Sequence, residues 1–306
     1  MSIEKRQIFG KSKSFMNDFF VGVSVMHGIS IVCCTIVILS VLYTKRVKKE
    51  KLVLSFRISF WIAFFDMVYS LASIILYKKN DVMVMKPTVS KVVAWVMQGS
   101  MLSTIMLSCA IAFSLQLNLV VRDPFKKRAN WCYEYIAIII AFVASSMVLY
   151  LFKMVVWDGN LHQFFLFSGS TKNSRIRVFS SNYLFTIIGV LYCYIVFLHV
   201  GVSLSIFQRF TKLRFFHVNS QIATNVFVTP EKKRKTLNAI KWLLCYPLVP
   251  ILTQTFVIVF GLFDPNLGTF CIGAFMPATQ GTLNLFVFLL SPKFRELYSN
   301  HWSKKL

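Results

Sequence analysis

Charged residues are scarce in this chain, and acidic ones are scarcer still. Asp, Glu, Lys and Arg make up 15% of the 306 residues, with 11 acidic residues against 34 basic ones. A soluble domain has about 25% charged and about 45–50% apolar residues. Here 56% of the residues are hydrophobic and the mean hydropathy is +0.63. The composition therefore excludes an ordinary soluble domain and indicates a membrane protein.

Other signatures are missing as well. The chain has no Asn-x-Ser/Thr sequence, its seven cysteines lack metal-ligand spacing, and its first 18 residues contain no evident cleavable signal peptide. The first apolar segment is therefore expected to act as its own insertion signal. No His/Glu metal pair or paired aspartates occur in the apolar segments, which argues against an intramembrane enzyme. We predict no cofactor, and no metal beyond a candidate sodium ion near Asp66.

The net charge of +23 raises the question of a nucleic-acid partner. The basic residues, however, occur in short runs beside long apolar segments, which is typical of membrane proteins. We therefore predict a lipid bilayer as the environment and no nucleic-acid binding.

Seven apolar segments are long enough to cross a bilayer about 30 Å thick, which takes about 20 helical residues. No period-2 barrel pattern is present, so the fold class is an all-α seven-transmembrane helix bundle. The third, fifth and seventh segments contain no Asp, Glu, Lys or Arg. The predicted spans are Phe19–Tyr43, Leu52–Tyr77, Val92–Val121, Tyr135–Trp157, Tyr183–Gln208, Leu237–Phe260 and Thr269–Leu290.

The distribution of Lys and Arg predicts the orientation. One set of connections, which includes the C-terminal tail, holds 20 basic residues, and the opposite set holds 11. Because basic residues are retained on the cytosolic side, the N-terminus is predicted outside and the C-terminus in the cytosol. This divides the chain into an extracellular N-terminus (1–18), the bundle (19–290) and a cytosolic tail (291–306).

The tail begins with a helix-start signal. Ser291 can cap a helix, and Pro292 suits its first turn. Phe294, Leu297 and Tyr298 then recur at helical spacing, with charged residues between them. This pattern predicts a short amphipathic eighth helix lying on the membrane surface.

These features together resemble the G-protein-coupled receptors. Asn284 and Phe288 align with the Asn and Tyr of the family's Asn-Pro-x-x-Tyr motif, and Phe294 with a phenylalanine of its eighth helix. Cys245-Tyr246-Pro247 is similar to the kinked Cys-Trp-x-Pro region, and Asp66 to the buried aspartate of the second helix. The resemblance implies a plasma-membrane receptor that senses an extracellular, small ligand and activates a heterotrimeric G protein.

The chain also departs from the family pattern. The third span ends without an Asp/Glu-Arg-Tyr triplet, no Cys opens it, and Leu285 replaces the usual Pro of the seventh helix. The "LCYPL" and "QGTLNLFVF" segments look more like the fungal glucose-sensing and cyclic-AMP-receptor-like group.

A switch is expected where polar residues and prolines interrupt the spans. Asp66 is the one carboxylate deep inside a predicted span, and burying it against lipid would cost at least about 2.5–3.5 kcal/mol, so it should face the bundle. Asn284 is the expected partner, through a direct bond, a water or a sodium ion; the alternative role is static helix packing. Pro247 removes a backbone hydrogen bond and predicts a kink. The proposed switch residues are Asp66, Asn284, Phe288, Tyr246 and Pro247.

Two further sets of site residues follow from the resemblance. The predicted G-protein contacts are on the cytosolic side, where basic residues equally serve as the topology signal and as contacts for anionic lipid. The predicted ligand-binding residues lie in the outer half, where aromatic and amide side chains equally serve helix packing. The first set is Asn118, Pro124, Phe125, Lys232, Lys233 and Lys235; the second is Trp95, Gln98, Asn182, Tyr183, Gln254, Thr255, Phe275 and Gln280.

A seven-helix bundle has two other candidate functions. A transporter or channel usually carries several intramembrane ionisable groups or repeated halves with broken helices, and it remains the alternative. A retinal protein needs a Schiff-base lysine, which the seventh span lacks.

Overall fold

The chain folds into a bundle of apolar helices. The structure is a computed structural model that describes residues 13–48, 54–77, 87–120, 132–147, 156–158, 163–165, 184–217, 241–262, 267–292 and 294–295. In these ranges the helices are α1 (Lys13–Lys48), α2 (Leu54–Tyr77), α3 (Pro87–Val120), α4 (Cys132–Ser146), α5 (Leu184–His217), α6 (Cys245–Leu262), α7 (Leu267–Ala278) and α8 (Gln280–Leu290), and the strands are β1 (Val156–Asp158) and β2 (Gln163–Phe165).

The predicted membrane fold is confirmed in these residues. Five helices are long and apolar enough to span a bilayer, and α7 with α8 forms a sixth span when the two are taken as one bent helix. The apolar helix α4 is shorter, at 15 residues. In chain order, these elements correspond to the seven predicted spans, and the chain is a multi-pass membrane protein.

Helix α3 lies at the centre of the bundle. It packs against α2, α4, α5 and α6, while α1 closes the bundle by contacting α2, α7 and α8. In the most apolar window of α3 61% of the residues are buried, compared with 28% in α1, whose outward stripe of valine, isoleucine and leucine is suited to lipid. Small and hydroxylated residues such as Ser103 and Ala112 let the helices approach α3 closely.

The fourth predicted span is wrong at its end. Val156 and Trp157 were expected in a helix, but they belong to β1, which pairs antiparallel with β2 so that Val156 faces Phe165. The sequence "VVWDGN" explains the difference, because branched and aromatic residues followed by Asp-Gly favour a strand and a turn over a helix. Strand β2 contacts α2 and α3.

The seventh predicted span is two helices rather than one. Helices α7 and α8 meet at Thr279 with a bend of 40°. Pro277 lies inside α7, and because it has no N–H it cannot bond to the carbonyl of Gly273. The bend therefore follows from a proline that the predicted continuous span did not take into account.

Candidate functional site

One side-chain amide at the centre of the bundle joins four helices. The Gln280 Nε2 of α8 donates to Asp66 Oδ1 on α2 over 2.8 Å and to Thr104 Oγ1 on α3 over 2.9 Å. Its Oε1 accepts from Thr253 Oγ1 at 3.1 Å and from Gln254 Nε2 at 2.9 Å, both on α6. An amide has two N–H donors and two oxygen lone pairs. Every hydrogen-bonding position of Gln280 is therefore occupied.

The carboxylate of Asp66 is held by a second amide as well. Asn284 Nδ2 lies 2.5 Å from Asp66 Oδ2, so each carboxylate oxygen accepts an N–H. Asp66 is 2% exposed, and Gln280 and Asn284 are each 6% exposed. The predicted partnership of Asp66 with Asn284 is thus present as a direct hydrogen bond.

The bend between α7 and α8 determines which side chains enter this network. Helix α8 begins at Gln280, and Asn284 follows one turn later on the same face. On its other side, α8 can approach α1 closely because residue 281 is a glycine. A Cβ atom there would collide with the side chains of Ser30 and Cys34 on α1. Hence α8 can lie against α1 while its amides point at Asp66.

A separate hydrogen bond joins α2 to the start of α6. Ser59 Oγ donates to Tyr246 Oη over 2.7 Å, and both residues are buried. The helical turn 241–243 is interrupted at Leu244 before α6 begins at Cys245. Pro247 lacks the N–H that would bond to the Leu243 carbonyl, which accounts for the interruption. Tyr246 therefore fastens a weakened part of α6 to α2.

Aromatic side chains close the predicted cytosolic end of the bundle. Phe288 of α8 is 2% exposed and contacts the rings of Phe56 and Phe294 at centroid distances of 5.5 and 5.1 Å. The expected cap is present, because the backbone N–H of Phe294 donates to Ser291 Oγ over 3.3 Å. The Arg295 guanidinium lies 5.9 Å from the centre of the Trp242 ring, which connects this segment to the turn before α6.

An ion pair explains the charge inside the second span. Arg57 Nη2 lies 2.8 Å from Glu134 Oε1, and its Nε lies 3.1 Å from the same oxygen. The Glu134 side chain is 3% exposed and that of Arg57 is 33% exposed. The pair joins α2 to α4, and the sequence did not suggest it because Glu134 was assigned to a loop.

The predicted ligand-binding residues do not all converge. Gln254 and Gln280 meet in the central network, and Gln98 is buried on α3. Trp95 instead donates from Nε1 to Ser146 Oγ on α4 over 3.1 Å.

Two other members of that set lie elsewhere. Phe275 contacts the ring of Phe19 on α1, and Thr255 is exposed because it follows the buried Gln254 on the helix. Trp95 and Phe275 therefore make contacts between neighbouring helices, and their assignment to a ligand pocket stays a prediction. Asn182 and Tyr183 lie outside the described residues.

The predicted G-protein contacts fall mostly beyond the described part of the chain. Asn118 belongs to α3, but its side chain is outside the description. The other predicted contacts are outside it altogether: Pro124, Phe125, Lys232, Lys233 and Lys235.

The surroundings of Asp66 also bear on the sodium ion considered above. Each of its oxygens accepts one amide N–H and retains a second lone pair, so a sodium ion beside Asp66 stays a prediction. Among the described residues, no group of three or more His, Cys, Asp and Glu side chains could hold a metal ion.

The sequence did not reveal the role of Gln280 or identify its partners Thr104 and Thr253, nor Ser59, the partner of Tyr246. Gln280 was assigned to a ligand pocket, although it lies one helical turn before Asn284 and so shares its face. That spacing is the signal that could have placed it beside Asp66.

Comparison with protein-family profiles and with curated protein sequences finds no match. Among solved structures, 437 chains match the fold. Squid rhodopsin is one of them, with a TM-score of 0.63 and 15% sequence identity, covering 95% of this chain and 87% of the rhodopsin chain. At this identity the likeness establishes the fold, a seven-helix bundle of the rhodopsin type. It gives no support to the fungal glucose-sensing group.

Proposed function

We propose that this protein is a G-protein-coupled receptor of the plasma membrane, which binds a small extracellular ligand within the bundle and activates a heterotrimeric G protein in the cytosol. The observation that carries the proposal is the Gln280 amide, because it joins α2, α3, α6 and α8 through one fully occupied group. The rhodopsin-type fold supports it by analogy.

A receptor needs contacts between its helices that a ligand can rearrange. Hydrogen bonds between membrane helices contribute about 0.6 kcal/mol each on average. The two bonds from α6 to Gln280 are therefore worth about 1–2 kcal/mol together, whereas a micromolar ligand binds with about 8 kcal/mol. A ligand whose affinity for two arrangements of the network differs by about 1–2 kcal/mol, a small part of that energy, is sufficient to offset these bonds.

The structure of α6 is suited to such a rearrangement. The helical turn before it is interrupted at Leu244, and beyond the interruption Tyr246 holds α6 to α2 through Ser59. The segment before the interruption contacts the tail through Trp242 and Arg295. We propose that activation releases this segment from its inner contacts and opens a cytosolic cavity for the G protein.

The alternative is a transporter or channel. Within the described spans, Asp66 is the one buried carboxyl that contacts neither Arg nor Lys, since Glu134 is paired with Arg57. A single such group favours a switch over a relay of ionisable residues. A retinal-binding function is disfavoured because residues 267–290 contain no lysine.

The test measures whether agonist affinity depends on a G protein. A panel of metabolites is first screened for second-messenger responses in cells that express the chain. Binding of the first active compound is then measured in membranes with and without a non-hydrolysable guanine nucleotide. A receptor should lose about 5–150-fold in affinity when the nucleotide uncouples the G protein. Nucleotide-insensitive binding together with saturable uptake into sealed vesicles would establish the transporter instead.

Orientation is tested separately with epitopes placed before Met1 and after Leu306. The basic-residue bias predicts that antibody reaches the first epitope on intact cells and the second only after permeabilisation. The opposite pattern would exclude the receptor, because the tail could not meet a cytosolic G protein.

A further inference from the structure

Two thiols from different helices face each other between α3 and α5. Cys109 Sγ lies 3.6 Å from Cys193 Sγ, although the residues are 84 positions apart in the chain. Cys193 is fully buried, at 0% exposure, and Cys109 is half-buried. Both are free thiols.

The backbone keeps this pair close. Gly189 lies one turn before Cys193 on α5, and its carbonyl accepts a hydrogen bond from Cys109 Sγ over 3.4 Å. A Cβ atom at Gly189 would lie 2.5 Å from Ile105 Cγ2, one turn before Cys109 on α3. Glycine is therefore what allows the two helices to approach this closely, and the thiols meet as a result.

We infer that Cys109 and Cys193 form a reversible disulfide that ties α3 to α5. A disulfide has an S–S length of about 2.05 Å, so the sulfurs must come about 1.5 Å closer, which side-chain rotation with a small helix shift can supply. The pair lies among apolar side chains, such as Ile105 and Leu102, in a membrane-embedded part of the fold. A hydroperoxide of a membrane lipid is the class of oxidant that reaches such a site.

The chemistry balances in two steps. One thiol sulfur attacks the terminal oxygen of the hydroperoxide, the O–O bond breaks, and a sulfenic acid and an alcohol form. The second thiol then attacks the sulfenic sulfur, which closes the disulfide and releases water. The two thiols lose two electrons to the hydroperoxide, and their two protons end in the alcohol and the water.

The experiment uses the full chain in membranes, oxidised with cumene hydroperoxide as an apolar probe. After blocking with N-ethylmaleimide and proteolysis, mass spectrometry should detect a peptide containing Cys109 joined to one containing Cys193, and dithiothreitol should abolish it. Cys193→Ser should eliminate the linked peptide. Cys34 is the control, because it is also fully buried but faces α8 at Gly281. It should stay reduced during oxidation and be alkylated by the maleimide once the protein is denatured.

A matched glycine pair on α5 tests the geometry. Gly189→Ala keeps both thiols but should push α3 away and reduce the yield of linked peptide, whereas Gly201→Ala, whose added Cβ would meet nothing within 4 Å, should leave the yield unchanged. Oxidation should also raise the thermal unfolding midpoint of the wild type and not that of Cys193→Ser. The inference is overturned if the wild type gives no linked peptide and both cysteines react with maleimide after denaturation, or if both glycine variants lose the link equally. None of these readouts depends on receptor function.

Discussion

Gln280 Nε2 donates to Asp66 Oδ1 over 2.8 Å, although the two residues are 214 positions apart in the chain. The same nitrogen also donates to Thr104, and the oxygen of the same amide accepts from α6. A displacement of α6 therefore changes the electrostatic environment of Asp66 through one planar group. In a low-dielectric interior such a network acts as a unit, which makes its members coupled rather than independent.

The first prediction concerns the central amide. Gln280→Ala should lower the free energy of unfolding by about 1–3 kcal/mol, because it leaves buried polar partners on three helices without their bonds. It should also raise basal second-messenger output, since α6 loses two bonds to α8. Thermal unfolding in detergent and basal signalling at matched surface expression measure the two effects.

Gln116→Ala is the matched control for that variant. Gln116 is a partly buried amide on α3 with a bond of 3.3 Å to the Tyr192 hydroxyl, away from the Asp66 network. It should leave basal output near the wild-type level. Equal basal output from both variants would show that Gln280 serves helix packing and is not part of the switch.

The second prediction concerns coupling between Asp66 and Asn284. Asn284→Ala removes one of the two amides that bond Asp66, and Asp66→Asn leaves one acceptor oxygen for the two donors, so the double variant should lose less than the sum of the two single losses. For residues in direct contact the interaction energy is about 0.5–3 kcal/mol. Agonist potency and thermal stability of all four proteins complete the cycle. Additive effects on potency would assign the pair to structure alone.

The sequence predicts some of these relationships and misses others for physical reasons. Asp66 could be placed in the bundle because a carboxyl facing lipid is too costly, and Asn284 was the matching amide. Gln280 was assigned to the ligand pocket, although its position one helical turn before Asn284 gives both amides the same face of α8. Trp95 shows a different limit, since an aromatic residue in the outer half of a span suits helix packing and ligand binding equally well.

Hydropathy has a similar limit at the level of the fold. It located the seven segments because each needs about 20 apolar residues. It failed at Val156 and Trp157 because branched and aromatic residues are apolar in a strand as well as in a helix.

The third prediction concerns the ion pair of Arg57 and Glu134. Glu134→Gln should reduce stability by about 1.5–3 kcal/mol, because hydrogen bonds to charged groups are worth that much and Glu134 is 3% exposed. Exchanging the two residues, Arg57→Glu with Glu134→Arg, should give a more stable protein than Arg57→Glu alone, because the exchange restores opposite charges. Surface expression and thermal unfolding provide the readout. A swap no better than Arg57→Glu alone would show that the attraction between the charges contributes little.

The fourth prediction concerns the bond between Ser59 and Tyr246. Tyr246→Phe keeps the ring and removes only the hydroxyl, so packing in the core should survive while α6 loses its bond to α2. We expect a stability loss of about 0.5–1.5 kcal/mol and a rise in basal signalling. Ser59→Ala removes the other partner and should produce a shift in the same direction. The double variant should then signal no more than the stronger single variant, because the same bond is broken in each.

Pro247→Ala should act in the opposite sense, since it restores a backbone N–H to α6 and stiffens the segment beside Tyr246. Basal second-messenger output of the four variants, normalised to surface expression, shows whether this bond restrains α6 in the inactive state or serves only helix packing. A Tyr246→Phe protein that is less stable but signals at the wild-type basal level would leave this contact a structural role only.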